Sequence, residues 1–332
     1  MVSIKDVAKH AGVAISTVSK VLNNYPNIRL ETRTKVNQAV KELNYVPNSV
    51  AAALSSKQPC RIALLINIKY KTQAIDEIYM QYISGGISRA TELNLDIITV
   101  FFSMIENKSI DELDAYFMSQ SITGIVIYGI SKEDNTLHQL INRERFKVVV
   151  IDAPIFNTNT SSVWIDNHKA QYEVAKKTIL ENIGHASDRV LYLSGKKNGY
   201  VSEARLTGME KLAADLNLEM LVRCGEFSEL KARNLTMRFA KNKDIIVCAS
   251  DLMAIGAMRT LTEMNIFRPV CGFDGISLMG YAGKQMNTVK QDFARISAEA
   301  VTEAARLLNG GEGRNIVLDF QIVRLKYEDI IC

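Results

Sequence analysis

At 332 residues, 47% of them apolar and 23% charged, the chain is too long for one ordinary core and too apolar to be disordered, so two or three domains are expected. The net charge of +4 is unevenly placed: residues 1–60 carry eight Lys or Arg against Asp6, Glu31 and Glu42, which is +5, and the remainder sums to about −1. That excludes an evenly acidic or basic surface and predicts a basic N-terminal segment suited to a phosphate backbone. The longest apolar runs, such as Ile62-Ala-Leu-Leu-Ile66, have strand length, so no membrane span is expected. The N-terminus lacks the apolar stretch and cleavage site of a secretory signal. The five cysteines (60, 224, 248, 271, 332) are scattered and form no metal-ligand pattern. A cytoplasmic location with reduced thiols is expected, with Cys248 and Cys271 in the core and no cofactor.

In chain order, the first element is a short amphipathic helix from Ile4, with Ile4, Val7, Ala8 and Ala11 inward. Gly12 can take the left-handed conformation that a tight helix–helix turn needs. A second helix follows, with Val18, Val21 and Leu22 inward and Ile15, Ser16, Ser19 and Lys20 on the opposite face. Short polar groups, one aliphatic group and one cation suit base edges in a major groove. Residues Glu31–Leu43 predict a third helix, with Val36, Val40 and Leu43 closing a small core. Pro47 to Pro59 reads as a linker with one short helix over 48–55, too short to be stable alone.

These blocks, with Asp6-Val-Ala, Thr17-Val-Ser19 and Asn44-Tyr-Val-Pro-Asn48 leading into Ser49-Val-Ala-Ala-Ala-Leu54, closely resemble the DNA-binding headpiece of the lactose/galactose repressor family. The resemblance implies domains at 1–46 (helix-turn-helix headpiece), 47–60 (hinge helix and linker) and 61–332 (effector binding and dimerisation). It also implies double-stranded operator DNA as a partner, with base contacts through Ile15, Ser16 and Lys20. Phosphate contacts would come from Ser3, Thr17, Ser19, Asn23, Thr32 and Asn48. In the linker, Ala51 would approach the minor groove and Leu54 would wedge between base pairs.

From residue 61 the chain alternates strands (62–68, 95–102, 124–128, 148–151, then 189–194, 219–223, 245–249) with helices near 76–93, 110–119, 135–142, 168–182, 204–215, 229–240 and 251–263. Alternation of this kind predicts an α/β architecture of two lobes, parallel sheets with helices on both faces, completed by the tail at 289–308 and 316–325. Ligands in such folds bind beyond the carboxyl ends of the strands, here in a cleft between lobes. This is similar to the type I periplasmic sugar-binding fold that the repressor family shares.

The resemblance nominates effector-binding residues one at a time. Arg205, in Ala204-Arg-Leu-Thr-Gly208, resembles the arginine that binds sugar hydroxyls, and Asp274 in Cys271-Gly-Phe-Asp-Gly275 resembles a cleft aspartate. Phe227 matches an aromatic that stacks on the effector. Ser250 stands where the family commonly has Asn, and Asp251 beside it serves equally to cap a helix. Asp152 and Asp166, at strand ends, are open between ligand contact and a turn role. Gln291 and Phe293 sit on a return crossing between lobes. The chain departs from the family at Glu77-Ile-Tyr-Met80, where Asn-Pro-Phe-Phe is usual and Tyr79 would face the cleft. Gly275 stands for a frequent Asp, and Ala14, Lys20 and Arg29 stand for Ser, Arg and Ser.

The reading that follows is a homodimeric transcriptional regulator, a repressor, controlled by a small-molecule effector, a sugar or sugar phosphate. A corepressor-dependent regulator answering to a purine or a phosphoprotein stays open. A transporter's solute-binding protein shares the fold from residue 61, and an enzyme using Asp152, Asp166, Asp251 and Asp274 is disfavoured because no nucleophile–base spacing accompanies them.

Overall fold

The computed structural model describes residues 3–22, 28–43, 45, 61–66, 73–182, 189–282 and 285–325, with the side chains of 73–76 set aside, and divides the chain into two compact units, Met1–Gln58 and Pro59–Cys332. Among the described residues no helix is long and apolar enough to cross a membrane.

In the first unit, helices α1 (Ile4–Ala11), α2 (Ile15–Leu22) and α3 (Leu30–Glu42) enclose Val7, Ala8, Val18, Val21, Val36 and Ala39. Gly12 closes α1 at φ +67°, its N–H on the Ala8 carbonyl, as a left-handed helix end requires. At the other end the Asp6 carboxylate reaches back to the Ser3 N–H (2.8 Å) and hydroxyl (2.7 Å), and these two bonds hold its pKa below the ordinary value. The Ala14 carbonyl accepts from Thr17 (2.9 Å) and Val18 (3.1 Å), so α2 starts without help from a side chain at 14. Arg29 precedes α3 without a side-chain cap, and α3 begins at Leu30, one residue before the expected start.

Among the described residues, the second unit holds two six-stranded sheets. The first has the order β11-β5-β4-β3-β1-β2 and every pairing in it is parallel. Its strands are β1 (Arg61–Ile66), β2 (Asp96–Phe101), β3 (Ile122–Tyr128), β4 (Lys147–Ile151), β5 (Thr160–Ile165) and β11 (Asn315–Leu318). The second has the order β12-β10-β9-β8-β6-β7, from β6 (Arg189–Ser194), β7 (Glu219–Cys224), β8 (Ile245–Cys248), β9 (Val270–Cys271), β10 (Asn287–Lys290) and β12 (Gln321–Arg324). Only β12 runs antiparallel to its neighbour. Between the strands lie α4 (Gln73–Glu92), α5 (Ile110–Ser119), α6 (Asn135–Asn142), α7 (Asn167–Asn182), α8 (Tyr200–Leu216), α9 (Glu229–Phe239), α10 (Asp251–Glu263) and α11 (Phe293–Leu308).

Burial on both faces explains the continuous apolar strands. In β1, Ile62, Leu64 and Ile66 join one core while Ala63 and Leu65 join the other, where α5 and α6 pack. Helix α11 packs on α4, β3, β4 and β5 and so belongs to the first lobe, although it follows β10 of the second. Gly85 permits the contact, since a Cβ there would lie 2.1 Å from the Ala294 carbonyl oxygen. The chain thus crosses between lobes at 165–167, 290–293 and 318–321.

Two strands are marked only in part by the sequence, which places Asp166 at a strand end and Cys271 in the core without bounding either strand. Strand β5 opens Thr160-Ser-Ser, whose buried Ser161 and Ser162 hydroxyls donate to Glu303 (2.7 Å) and Asn315 (2.6 Å), so burial there is polar and gives no apolar run. Strand β9 is two residues long and follows Pro269. Cys248 and Cys271 are fully buried on β8 and β9, and burial pushes the Cys271 thiol up to about 12.

Candidate functional site

The two units carry separate candidate surfaces. On the first, Ile15 is 45% exposed on α2, Ser16 and Lys20 are exposed, and Thr17, Ser19 and Thr32 are half-buried. The buried face of the same helix is Val18 and Val21, so the short, polar, singly charged face points outward because the apolar stripe is spent on the core. The Ser3 hydroxyl donates to Asp6. Asn23, Asn48, Ala51 and Leu54, and with them the whole hinge, lie outside the described residues.

The second site forms where the strands of both lobes end. Asp152 follows β4 in the first lobe and Asp274 follows β9 in the second, with φ of +61° and +121°. Neither conformation is relaxed for an L-residue, and both are pinned by backbone bonds: the Asp152 N–H to Val163 O (3.1 Å) and the Asp274 N–H to Val289 O (2.9 Å). Arg205 is 5% exposed in the second turn of α8. Its Nε donates to Asn167 Oδ1 (2.9 Å) and its Nη1 to Ala249 O (2.6 Å) and Asp274 Oδ1 (3.3 Å), while the guanidinium stacks 3.6 Å from the Phe273 ring centroid. Gln291, on the second crossing, donates through Nε2 to the same Asp274 oxygen (3.2 Å).

Aromatic rings close the first-lobe side. The Tyr82 hydroxyl donates to Asp152 Oδ2 (3.1 Å), and its ring meets Phe293 edge-on at 5.2 Å, Tyr128 at 5.0 Å and Tyr79 at 6.1 Å. Burial raises the Asp152 carboxyl above the usual carboxylate range, with Arg205 and Tyr82 pulling it back. Burial also raises Asp274, against the pull of Arg205. Two acceptors here, Asp152 Oδ1 and Gln291 Oε1, are fully buried without a hydrogen-bond partner.

The remaining nominated residues have partners of their own. Asp166 accepts from the Lys169 N–H (2.9 Å) and so caps α7. Ser250 caps α10 through the Met253 N–H (3.4 Å). Asp251 is fully buried, accepting from the Gly275 and Ile276 N–H groups (2.7 and 2.9 Å) and the Thr288 hydroxyl (2.5 Å); it braces the turn that carries Asp274. Gly275 belongs to the same turn: at φ +76° a Cβ would lie 2.6 Å from Lys290 Cα, so a side chain at this position is excluded. Phe227, with φ +58°, places its ring tip against Gly195 and Ser202 at the ends of β6 and the start of α8, and the buried Ser202 Oγ has no partner.

Sequence reasoning missed Tyr82 and Asn167. Tyr82 lies one turn after Tyr79 and reads as ordinary core, and it is indeed 4% exposed; its hydroxyl alone marks it. Asn167 is the first residue of α7, a position suggesting only a helix start. The lobes also touch at their rims. Glu77 accepts from the Ser277 N–H (2.9 Å) and hydroxyl (2.9 Å), Lys132 pairs with Glu203, and Asn198 donates to Glu133 (2.6 Å). The unusual Glu77-Ile-Tyr-Met80 segment therefore supplies a contact between lobes as well as the Tyr79 ring.

Comparison with known proteins follows the same division. The family described as "Bacterial regulatory proteins, lacI family" matches residues 3–48, and "Periplasmic binding proteins and sugar binding domain of LacI family" matches residues 73–293. The chain is 27% identical to the HTH-type transcriptional regulator MalR of Clostridium butyricum over 97% of each chain. It is also 27% identical to the lactose operon repressor of Escherichia coli (strain K12), over 98% of this chain and 90% of that one. A solved complex of the transcriptional regulator CelR with cellobiose shares the fold at a TM-score of 0.69, with 22% identity and coverage of 98% and 99%.

Proposed function

Because the chain belongs to the lacI family of bacterial regulatory proteins, we propose that it is a repressor that binds a pseudo-palindromic operator as a dimer and answers to a carbohydrate held between its lobes. The observation that carries this reading is the pairing, in one chain, of an outward-facing Ile15/Ser16/Lys20 surface with a polar site built from Arg205, Asp152, Asp274 and Gln291. The guanidinium and carboxylates supply donors and acceptors for vicinal hydroxyls, and the aromatic rings supply apolar faces for a pyranose. One relative is named the lactose operon repressor and one structural neighbour is solved in complex with cellobiose, which favours a sugar for this chain too. Among the described residues, one guanidinium stands among several carboxylates, which disfavours a sugar phosphate and likewise a phosphoprotein at this site.

Dimerisation is supported by apolar side chains left on the surface. Met80 and Ile87 on α4, and Leu230 and Met237 on α9, are exposed and seven residues apart in each pair, so each pair shares a helix face. Binding at the second site and binding of DNA would be linked by a coupling free energy, with the rim contacts of Glu77 and Lys132 shifting between two lobe arrangements. The protein acts here as a regulator rather than a catalyst, and the cytoplasm, where the DNA is, is its place of work.

Selection of bound DNA from a random pool by the purified protein tests the reading. The expected outcome is an inverted repeat whose affinity falls steeply with salt and shifts on adding a binding sugar, with no shift for Arg205→Ala. Retention of DNA without sequence preference at low salt would refute it.

A further inference from the structure

Among the described residues, the donors and acceptors of the second site do not balance, and the imbalance has a direction. Asp274 Oδ1 already takes two donors, from Arg205 Nη1 at 3.3 Å and Gln291 Nε2 at 3.2 Å. Asp152 Oδ2 takes the Tyr82 hydroxyl at 3.1 Å. Asp152 Oδ1 and Gln291 Oε1 take none, although both atoms are buried and Gln291 is only 4% exposed. A buried acceptor without a donor is costly, more so when it is a carboxylate oxygen. The charges agree. Arg205 faces Asp152 and Asp274, with Asp251 behind Asp274, and the Tyr79 and Tyr82 phenols add no positive charge.

The two open acceptors are joined by one piece of scaffold. Gln291 stands two residues before Phe293, Phe293 packs edge-on against Tyr82, and Tyr82 holds Asp152. A group bound there needs several donors, no acceptor of its own, positive charge, and tolerance of aromatic neighbours. An ammonium has three donors, no lone pair to place and a favourable interaction with aromatic rings. A hydroxyl brings one donor and no charge. A phosphate brings about −1.5 to −2 charges and only acceptors beside two carboxylates.

We infer that the effector carries a protonated amine, as in an amino sugar, seated on Asp152 Oδ1 and Gln291 Oε1 beside Tyr79, Tyr82 and Phe293, while Arg205 and Asp274 take its hydroxyls. This rests on the carbohydrate reading above and narrows it. The amine makes Asp152 the specificity-determining residue, and Arg205 holds the part common to any sugar.

Calorimetric titration of the full-length protein at pH 7 with three matched probes tests the assignment: glucosamine, glucose and glucose 6-phosphate, repeated with the galactose series. The expected result is that an amino sugar binds at least tenfold more tightly than its neutral parent, and that Asp152→Asn erases this preference. A melting temperature of Asp152→Asn at or above that of the wild type shows that the variant is folded. A neutral or phosphorylated sugar binding as tightly as the amine, or an amine preference that survives in Asp152→Asn, overturns the inference. If that tighter ligand is lost on Arg205→Ala, the carbohydrate reading still stands. Binding of no sugar from either series removes both.

Discussion

Replacing Arg205 by leucine separates an internal brace from a ligand hook. The guanidinium spans three acceptors, Asn167 Oδ1 at 2.9 Å, Ala249 O at 2.6 Å and Asp274 Oδ1 at 3.3 Å, and lies 3.6 Å from the Phe273 centroid. Leucine fills part of the volume and leaves the carbonyl and the Asn167 oxygen without a donor. It also leaves Asp274 with Gln291 as its remaining side-chain donor. Removing one member of a buried ion pair costs about 3–5 kcal/mol. At about 2–4 °C per kcal/mol for a unit of this size, the larger unit should melt about 6–20 °C lower. Arg205→Lys keeps the charge but loses the planar fork and should fall between. Calorimetric melting of the full chain reads the larger unit's transition. A leucine variant melting within about 2 °C of the wild type would refute the reasoning, since ~3 kcal/mol cannot be lost so quietly.

Asp152→Asn should change how stability depends on pH. Burial holds the folded-state pKa of Asp152 above its unfolded value, so the folded form favours the protonated acid, and stability is lost as pH rises through the raised folded pKa. The asparagine variant, whose side chain tolerates the +61° φ, should therefore gain on the wild type at pH 8. The gain should fade toward about pH 4, near the unfolded value, and urea titrations at both ends measure it. Glu77→Ala removes the carboxylate that holds Ser277 across the lobes; if that contact contributes about 1.4 kcal/mol to closure, affinity for a cleft ligand falls about tenfold. Unchanged affinity would mean that the rim contact is incidental. Val18→Ala takes two methyl groups from a six-residue core, about 1.6 kcal/mol before any cavity cost, and should abolish operator binding at 37 °C while leaving ligand titrations as they are.

Much of the architecture was legible in the residues themselves, because the relevant signals are local. Gly12 marks a left-handed turn whatever surrounds it, and within each helix the apolar residues (Ile4, Val7 and Ala11; Val18, Val21 and Leu22; Val36, Val40 and Leu43) recur at helical spacing because a three-helix core takes one apolar side per helix. The strands that pack on both faces announce themselves as apolar runs, Ile62 to Ile66 and Val148 to Ile151 among them. The acids at strand ends were visible as candidates for the same reason: each directly follows such a run or stands close behind one.

Which of those acids point into the site was decided only by tertiary structure. Asp166, Asp251, Asp152 and Asp274 look alike in sequence, yet the first caps α7, the second is held by three donors from Gly275, Ile276 and Thr288, and the last two flank Arg205. The difference lies in where donors from distant segments fall, which no local pattern encodes. Tyr82 was overlooked because its ring is core and only its hydroxyl, reaching a residue 70 positions away, belongs to the site. Strand β5 was legible only at its end, beside Asp166, because the buried hydroxyls at its start are satisfied by Glu303 and Asn315 from the far end of the chain. Helical and strand periodicity report burial of apolar groups along one segment; a polar site depends on pairing between segments, and that is settled when the chain crosses from one lobe to the other.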